Sequence, residues 1–88
     1  MVIFYSPEFK RQFRKLSKDL QMIAIKREIL FRKDPFSPTL KTHKLTGRLQ
    51  RIWSFSLDYK NRILFRFLGG KTVLFESVGD HSIYRRHG

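Results

Sequence analysis

Residues 52–78 read IWSFSLDYKNRILFRFLGGKTVLFESV, and this stretch decides the fold. Apolar and polar side chains alternate along three runs, at 52–57, 63–68 and 72–78. Alternation with a period of two is typical of β-strands that bury one face. The short segments that separate the runs have the length of hairpin turns. The stretch therefore predicts a meander of three antiparallel strands, with Arg66 and Glu76 together on its exposed face.

Upstream of the meander, the chain predicts a short strand and a first helix. Val2–Tyr5 is the strand, and Ser6 then supplies an N-cap, with a proline and an acid directly after it. In the helix that follows, one side is apolar and consists of Phe9, Phe13, Leu16 and Leu20. The opposite side is a basic stripe that consists of Lys10, Arg11, Arg14, Lys15 and Lys18.

The second helix, predicted over Leu20–Lys33, is apolar on two sides. The larger side comprises Leu20, Ile23, Ala24, Leu30 and Phe31, and the smaller stripe comprises Met22, Ile25 and Ile29. A proline at 35 ends the helix, and 36–47 is a loop. The simplest cover for both sides is an antiparallel helical hairpin whose second helix lies between the first helix and the sheet, although the smaller stripe equally suits a partner's docking site. The fold class is therefore α+β in one domain over 1–88, with an N-terminal strand and a helical hairpin packed on a twisted antiparallel sheet.

The chain is strongly basic, with 19 Lys and Arg against seven Asp and Glu and a net charge of +12. Such a charge favours nucleic acid, an anionic membrane surface or an acidic protein as partner, and we expect RNA. The absence of Cys excludes a disulfide framework and a thiolate metal site. We expect no signal peptide, because the apolar stretch of the first residues is too short and charge follows too early. No apolar run approaches the ~20 residues of a membrane-spanning helix. We therefore expect a cytoplasmic protein with no membrane partner.

Three residues near the sheet are candidates for chemistry. The acids are scattered without a metal-binding spacing, so we expect no metal. What remains is His43 in the loop before the sheet, Arg62 at the start of the middle strand and His81 just beyond the last strand. Because neighbouring strands run antiparallel, the start of the middle strand lies near the end of the last one. Arg62 and His81 are therefore expected to meet, and His43 joins them if its loop folds across the same end.

This set suits metal-free cleavage of RNA. The 2′-OH of RNA is its own nucleophile, so a protein must supply a base, an acid for the leaving 5′ oxygen and positive charge for the transition state. Histidine can play either proton role, and arginine presents a fork of donors to phosphate. Each residue alone is weak evidence, because a surface histidine is often incidental and Arg62 would otherwise pair with Asp58 or Glu76. The hypothesis depends on their convergence.

Other basic residues are candidates for phosphate contacts. Those that surround the proposed site are Lys41, Lys44, Arg48 and Arg51. Lys10 and Arg14 represent the basic stripe of the first helix, which is either a contact to ribosomal RNA or only a solvated face. Trp53 and the phenylalanines of the strands are predicted to be core, since they recur at strand spacing.

Three strings carry a resemblance to a known family: LKTHKLTG at 40–47, WSFSLDYKNRILF at 53–65 and VLFESVGDH at 73–81. They resemble the RelE/ParE superfamily of bacterial type II toxin–antitoxin toxins, and in particular its RelE-type messenger-RNA interferases. The resemblance covers nearly the whole chain. It implies cleavage of messenger RNA on the ribosome by 2′-OH attack, which leaves 2′,3′-cyclic phosphate and 5′-OH ends. It also implies a cognate antitoxin and no cofactor.

The resemblance assigns roles by position. Arg62 matches the strand arginine that holds the scissile phosphate, and His81 matches a C-terminal histidine that donates or accepts a proton. Tyr84 lies where a C-terminal aromatic stacks on a base, although it would equally cover the sheet edge. His43 matches a loop histidine of one branch, so the identity of the base stays open. The chain departs from the family's pattern at Ser56, Lys60 and Asp80.

Three functions are compatible with these sequence features. The leading one is a toxin that acts as a ribosome-dependent, metal-independent endoribonuclease. The alternative is a ParE-like toxin of the same fold that inhibits DNA gyrase without nuclease activity, and the third is a plain nucleic-acid-binding module with incidental histidines. The combination of His43, Arg62 and His81 favours the first, because a gyrase-directed relative has no chemical reason to hold the three together.

Overall fold

The structure is a computed structural model that describes residues 1–47 and 51–86, the last two of these by their backbone alone. Its helices and strands are β1 (Val2–Tyr5), α1 (Pro7–Lys15), α2 (Lys18–Lys33), β2 (His43–Lys44), β3 (Trp53–Ser56), β4 (Arg62–Gly69) and β5 (Thr72–Gly79). The described residues include the loop 3₁₀ helix at Pro38–Leu40 and the C-terminal 3₁₀ helix at His81–Arg86. Within these described residues, no helix combines the length and the apolar character that crossing a bilayer requires.

The sheet confirms the predicted α+β class and the predicted meander. Its strand order is β1-β5-β4-β3-β2, and β3, β4 and β5 pair antiparallel through hairpins. Two features differ from the prediction. β1 pairs parallel with β5, from Val2 opposite Thr72 to Tyr5 opposite Phe75, so the sheet is mixed. A two-residue strand, β2, forms inside the predicted loop because His43 lies opposite Ser54 on the free edge of β3.

Ser6 begins α1 as predicted and also attaches the helix to the sheet. Its Oγ accepts a hydrogen bond from the backbone N–H of Phe9 at 2.9 Å, which satisfies one of the free donors at the helix start. The same hydroxyl donates to the backbone oxygen of Glu76 in β5 at 2.7 Å. One side chain therefore sets both the first turn of α1 and its position on the last strand.

Replacing Ser6 by alanine is expected to lower the free energy of unfolding by about 1–2 kcal/mol, because both hydrogen bonds are lost. Ser17 provides the matched control. Its Oγ caps α2 by accepting from the backbone N–H of Leu20 at 3.2 Å, at an exposed position, so Ser17→Ala should cost about 0.5–1 kcal/mol. Urea unfolding followed by circular dichroism measures both variants. Equal losses would contradict the role of Ser6 in attaching α1 to β5.

The two helices lie side by side on the sheet, so the predicted stacking, with the second helix between the first helix and the sheet, is wrong. The rings of Phe9 in α1 and Phe31 in α2 each lie 5.5 Å from the ring of Phe75, centroid to centroid. Gln12 of α1 also accepts a hydrogen bond from the backbone N–H of Val78 at 2.8 Å. Both helices therefore contact β5 directly. α2 also begins at Lys18, ahead of the predicted start, because Ser17 caps it.

A phenylalanine cluster fills the space between the helices and the sheet. Four rings are fully buried: Phe31, Phe55, Phe65 and Phe75. Phe31 contacts the other three at centroid distances of 5.0, 4.9 and 5.5 Å, so the strand phenylalanines are core as predicted. Phe67 is the exception among the strand phenylalanines, since it stays 40% exposed and packs against Phe36 and Trp53.

The opposite face of the sheet, here called the outer face, carries a second and smaller apolar cluster. Its buried members are Ile52, Leu64 and Ile83, with Leu45 and Tyr84 packed against them. Ile83 and Tyr84 belong to the C-terminal 3₁₀ helix, which therefore folds back over the outer face. Arg66 and Glu76 lie beside one another, as predicted, and form an ion pair with 2.6 Å between Nε and Oε2.

Candidate functional site

Arg62 opens β4, and its side chain is fixed in direction. It lies in register with Ser56 on one side and Gly79 on the other. Its guanidinium donates through Nη1 to Ser56 Oγ at 2.5 Å and through Nη2 to the backbone oxygen of Tyr59 at 3.3 Å. A guanidinium has five N–H donors, so donors remain free for an anion. Since the side chain is only half-buried, it is an oriented cation that a phosphate can reach.

The turn between β3 and β4 is held by Asp58. Its Oδ1 accepts hydrogen bonds from the backbone N–H groups of Lys60 at 2.9 Å and Asn61 at 2.6 Å, and the Asn61 amide adds a third at 3.2 Å. Burial raises the pKa of the Asp58 carboxyl, but these hydrogen bonds and the charge of Arg62 more than offset it, so the pKa is lowered overall. The carboxylate thus serves the turn, and Arg62 keeps its free donors.

The C-terminal segment turns sharply after β5. Asp80 Oδ1 accepts from the backbone N–H of Ser82 at 2.9 Å. Hydrogen bonds from Ser82, together with the charges of His81 and Lys60, hold the pKa of the Asp80 carboxyl below its usual range. Asp80 thereby fixes the first turn of the C-terminal 3₁₀ helix.

Gly79 allows this turn to pack. Its φ is 156°, and a Cβ built on it would lie 2.9 Å from Cγ2 of Ile83, whose side chain is 5% exposed. Such a contact is too short, and a branched methyl in a packed cluster cannot move away cheaply. The glycine therefore lets Ile83 sit against the sheet and hold the segment that carries His81 and Tyr84.

We expect Gly79→Ala to loosen the C-terminal 3₁₀ helix by about 1–3 kcal/mol, the usual cost of overpacking. Hydrogen exchange of the Ile83 amide, which donates to the backbone oxygen of Asp80 at 3.1 Å, should accelerate about 5- to 150-fold. Gly70→Ala is the control, because Gly70 also has a positive φ, 58°, but a Cβ there would meet open space. Unchanged exchange at Ile83 in Gly79→Ala would show that close packing at Gly79 does not position the segment.

The structure brings Arg62 and His81 to the same end of the sheet, as the strand register predicted. Arg62 lies opposite Gly79, and His81 follows two residues later, so their Cα atoms are at most about 13 Å apart. The His81 ring is exposed. Among the described residues, no hydrogen bond joins the two side chains.

His43 and Tyr84 border the same outer face. His43 is in register with Ser54, so strand alternation places its side chain on the face that carries Ser56 and Arg62. Two strand spacings and two residues along the strand separate its Cα from that of Arg62, which gives about 12 Å. Its Nδ1 lies 3.0 Å from the backbone oxygen of Lys41. Tyr84 is half-buried against the outer-face cluster. This packing agrees with a role in covering the sheet, while stacking on a base stays a prediction.

The predicted phosphate contacts separate into groups. Lys41 lines the same cavity as Arg62. Lys44 follows His43 on β2 and therefore points to the opposite face. Arg51 is exposed, and Arg48 lies outside the described residues. Lys10 and Arg14 line a groove between the two helices, whereas two other basic residues of α1, Arg11 and Lys15, line a cavity beside the C-terminal segment.

The cavity beside Arg62, here called the arginine cavity, also contains residues that the sequence did not indicate. Its volume is about 400 Å³, and its lining consists of Arg27, Thr39, Lys41, Ser56, Leu57, Asp58, Tyr59 and Arg62. Tyr59 is 91% exposed, and an aromatic residue inside a polar hairpin turn was the available signal. Arg27 lies in the middle of α2, and nothing local in the sequence connects it with the site. Among the described residues, no three His, Asp or Glu side chains form a group that would hold a metal ion.

No protein-family model and no curated protein sequence matches the chain. Solved structures do match. A YoeB/ParE toxin from Agrobacterium tumefaciens has a TM-score of 0.79 at 14% identity, over 92% of this chain and 99% of that one. The YoeB-YefM complex from Staphylococcus aureus gives 0.75 at 14% identity, over 92% and 97%. The DinJ-YafQ toxin-antitoxin complex from E. coli gives 0.66 at 17% identity, over 92% of each chain. The chain therefore has the fold of RelE/ParE-type toxins, which is the fold that its sequence predicted.

Proposed function

We propose that the chain is the toxin of a type II toxin–antitoxin system and cleaves messenger RNA on translating ribosomes in the cytoplasm. One observation carries the proposal: Arg62 is held by Ser56 and Tyr59 with donors to spare, at the end of the outer face bordered by His43 and His81. The shared fold with toxins of the YoeB and YafQ kinds supports it. The fold alone would equally serve a toxin without nuclease activity.

The chemistry that these side chains fit is transfer of the phosphodiester to its own 2′ oxygen. One imidazole removes the proton of the 2′-OH, and the 2′ oxygen forms a bond to phosphorus. The bond from phosphorus to the 5′ oxygen breaks, and the second imidazole donates a proton to that oxygen. Arg62 stabilises the negative charge that accumulates on the non-bridging oxygens. The products are a 2′,3′-cyclic phosphate and a 5′-OH, and no metal or cofactor takes part.

The surrounding charge supports binding to a ribosome. The net charge is +12, and Arg11 and Lys15 of α1 line a cavity beside the C-terminal segment. Contacts of this kind bind phosphate without regard to sequence. We assign to them the affinity for ribosomal RNA, and to Arg62 and the histidines the reaction.

A cognate antitoxin is part of the proposal. The smaller apolar stripe of α2 stays uncovered, with Met22 55%, Ile25 48% and Ile29 55% exposed. Lys10 and Arg14 border the groove between α1 and α2, which Ile25 also lines. An acidic amphipathic segment fits such a surface in both apolarity and charge. The DinJ-YafQ structure is a toxin-antitoxin complex of a protein with this fold, which supports the same kind of partner here.

Incubation of the pure protein with translating ribosomes, followed by mapping of message ends, tests the activity. We expect cleaved message with 2′,3′-cyclic phosphate and 5′-OH ends, the products of attack by the 2′-OH. Intact message together with blocked supercoiling by DNA gyrase would instead establish the ParE-like alternative. Intact message with no effect on gyrase would leave only a nucleic-acid-binding module.

A further inference from the structure

The arginine cavity extends from Arg62 away from the C-terminal segment and toward α2 and the loop 3₁₀ helix. Its volume of about 400 Å³ falls within the range of small-ligand sites. Besides Arg62, it is lined by the cations Arg27 and Lys41. The proposed reaction uses neither of these, nor the side chain of Tyr59.

Backbone oxygens orient two cations of the cavity, Arg27 and Arg62. Arg27 donates through Nη1 to the backbone oxygen of Thr39 at 3.1 Å, which directs its guanidinium from α2 to the loop 3₁₀ helix. Lys41 follows that helix with φ 52° and ψ 40°, a left-handed conformation that costs a non-glycine residue free energy. Strained backbone of this kind is concentrated at functional sites.

The charge of the cavity is not cancelled by its acid. Asp58 is the acidic residue in the lining, and its Oδ1 already accepts three hydrogen bonds from the turn. Neither Arg27 nor Lys41 forms an ion pair among the described residues. With three cations and one carboxylate in its lining, the cavity carries a net positive charge and offers cationic donors to an anion.

Tyr59 adds a flat apolar surface to this charge. Its side chain is 91% exposed, although tyrosine side chains in folded proteins are usually at least partly buried. Hydrogen bonds support the turn beneath it, because Asp58 accepts from the backbone N–H of Asn61 and the Tyr59 oxygen accepts from Arg62. Rings on a fixed backbone next to cations are the usual platform for stacked bases of single-stranded nucleic acid.

We propose that the arginine cavity is a nucleotide subsite for single-stranded RNA, in which Tyr59 stacks on the base adjacent to the scissile phosphate and Arg27 and Lys41 bind the next phosphate. The inference rests on the proposed function, because Arg62 marks the scissile position. It assigns to Tyr59 and Arg27 a share in substrate binding and leaves the proton transfers to the histidines.

Titration of the protein with a 2′-O-methylated RNA trinucleotide, followed by NMR, tests this subsite without cleavage, since the nucleophile is blocked. We expect shift changes concentrated at residues 39–41 and 56–62 and on the Tyr59 ring. Tyr59→Ala should weaken binding about 5- to 150-fold, the range for loss of one stacked base, while its backbone oxygen still supports Arg62. Tyr59→Phe should bind as the original protein does.

Arg27→Met should weaken binding and reduce the slope of log affinity against log salt by about 0.7, the effect of one phosphate contact to a single strand. Lys71→Met is the matched control, because it removes the same charge from the cavity at the other end of the sheet. Phe4→Ala is the control for Tyr59, because Phe4 is an exposed ring on β1. Both controls should bind as the original protein does.

The subsite is overturned if the trinucleotide shifts other surfaces or none, if Tyr59→Ala binds normally, or if Lys71→Met loses as much affinity as Arg27→Met. Preferential binding of an acidic peptide to the cavity would also overturn it. Failure of the proposed function is distinguishable. In that case translated message stays intact, whereas the cavity still binds the trinucleotide in a Tyr59-dependent way.

Discussion

Replacing Arg62 by methionine is expected to slow cleavage of ribosome-bound message about 10²- to 10³-fold, because the transition state loses its oriented guanidinium. Methionine keeps much of the side-chain length, and Arg62 is only half-buried, so the fold should persist. Single-turnover cleavage on translating ribosomes measures the rate. Thermal unfolding checks that the variant is folded.

Two further variants separate the charge of Arg62 from its orientation. Arg62→Lys keeps the charge but lacks the planar fork, so its rate should fall between those of the original protein and Arg62→Met. Ser56→Ala removes the hydroxyl that accepts from Nη1 and leaves the guanidinium itself. Its rate should fall less than that of Arg62→Met. A folded Arg62→Met that cleaves at the original rate would remove Arg62 from the reaction.

Replacing His81 by alanine is expected to lower the cleavage rate about 10²- to 10⁴-fold, the usual contribution of a positioned general acid or base. His81 is exposed, so the free energy of unfolding should change little. The variant is measured by the same single-turnover assay, with the RNA trinucleotide titration alongside. Since the histidine is assigned to proton transfer, trinucleotide affinity should be nearly unchanged.

The pH dependence of the rate distinguishes a proton-transfer role from a structural one. If His43 and His81 share the two transfers, the original protein has a bell-shaped profile, and each single alanine variant loses one limb of it. A His43→Ala variant with both limbs intact would assign the second transfer to another group. A folded His81→Ala variant with the original rate and profile would contradict the role of His81.

Local sequence patterns predicted most of the elements. Ser6 acts through its own first turn, and the alternation in 63–68 reports directly on which side chains face the core. The parallel partner of β1 was not predicted, because strand pairing depends on residues distant in sequence. The stacking of the helices was wrong for a similar reason. The pattern in α2 gives two apolar sides, but only Phe75 shows that both helices reach the same strand.

The residues of the candidate site likewise divide into those that the sequence predicted and those that it did not. The antiparallel order of the strands predicted that Arg62 and His81 lie at the same end of the sheet, and the register of Arg62 with Gly79 agrees with this, while a meeting of their side chains stays a prediction. Arg27 was not identified, because its proximity to Arg62 arises from the packing of α2 beside the loop 3₁₀ helix. Gly79 has a role that becomes visible only with Ile83 in place, because a glycine after a strand otherwise indicates no more than a turn.

The parallel pairing of β1 with β5 has a consequence for folding kinetics. Ser6 and Glu76, which are hydrogen-bonded beside this pair, are 70 residues apart in the chain. Contacts of such long sequence separation require closure of a large loop before any energy is gained, which slows folding relative to a helical bundle. Until β1 docks, one edge of β5 has unpaired backbone groups. A folding intermediate without β1 would therefore expose a strand edge that can pair with another chain. The longer this intermediate persists, the more readily the chain aggregates.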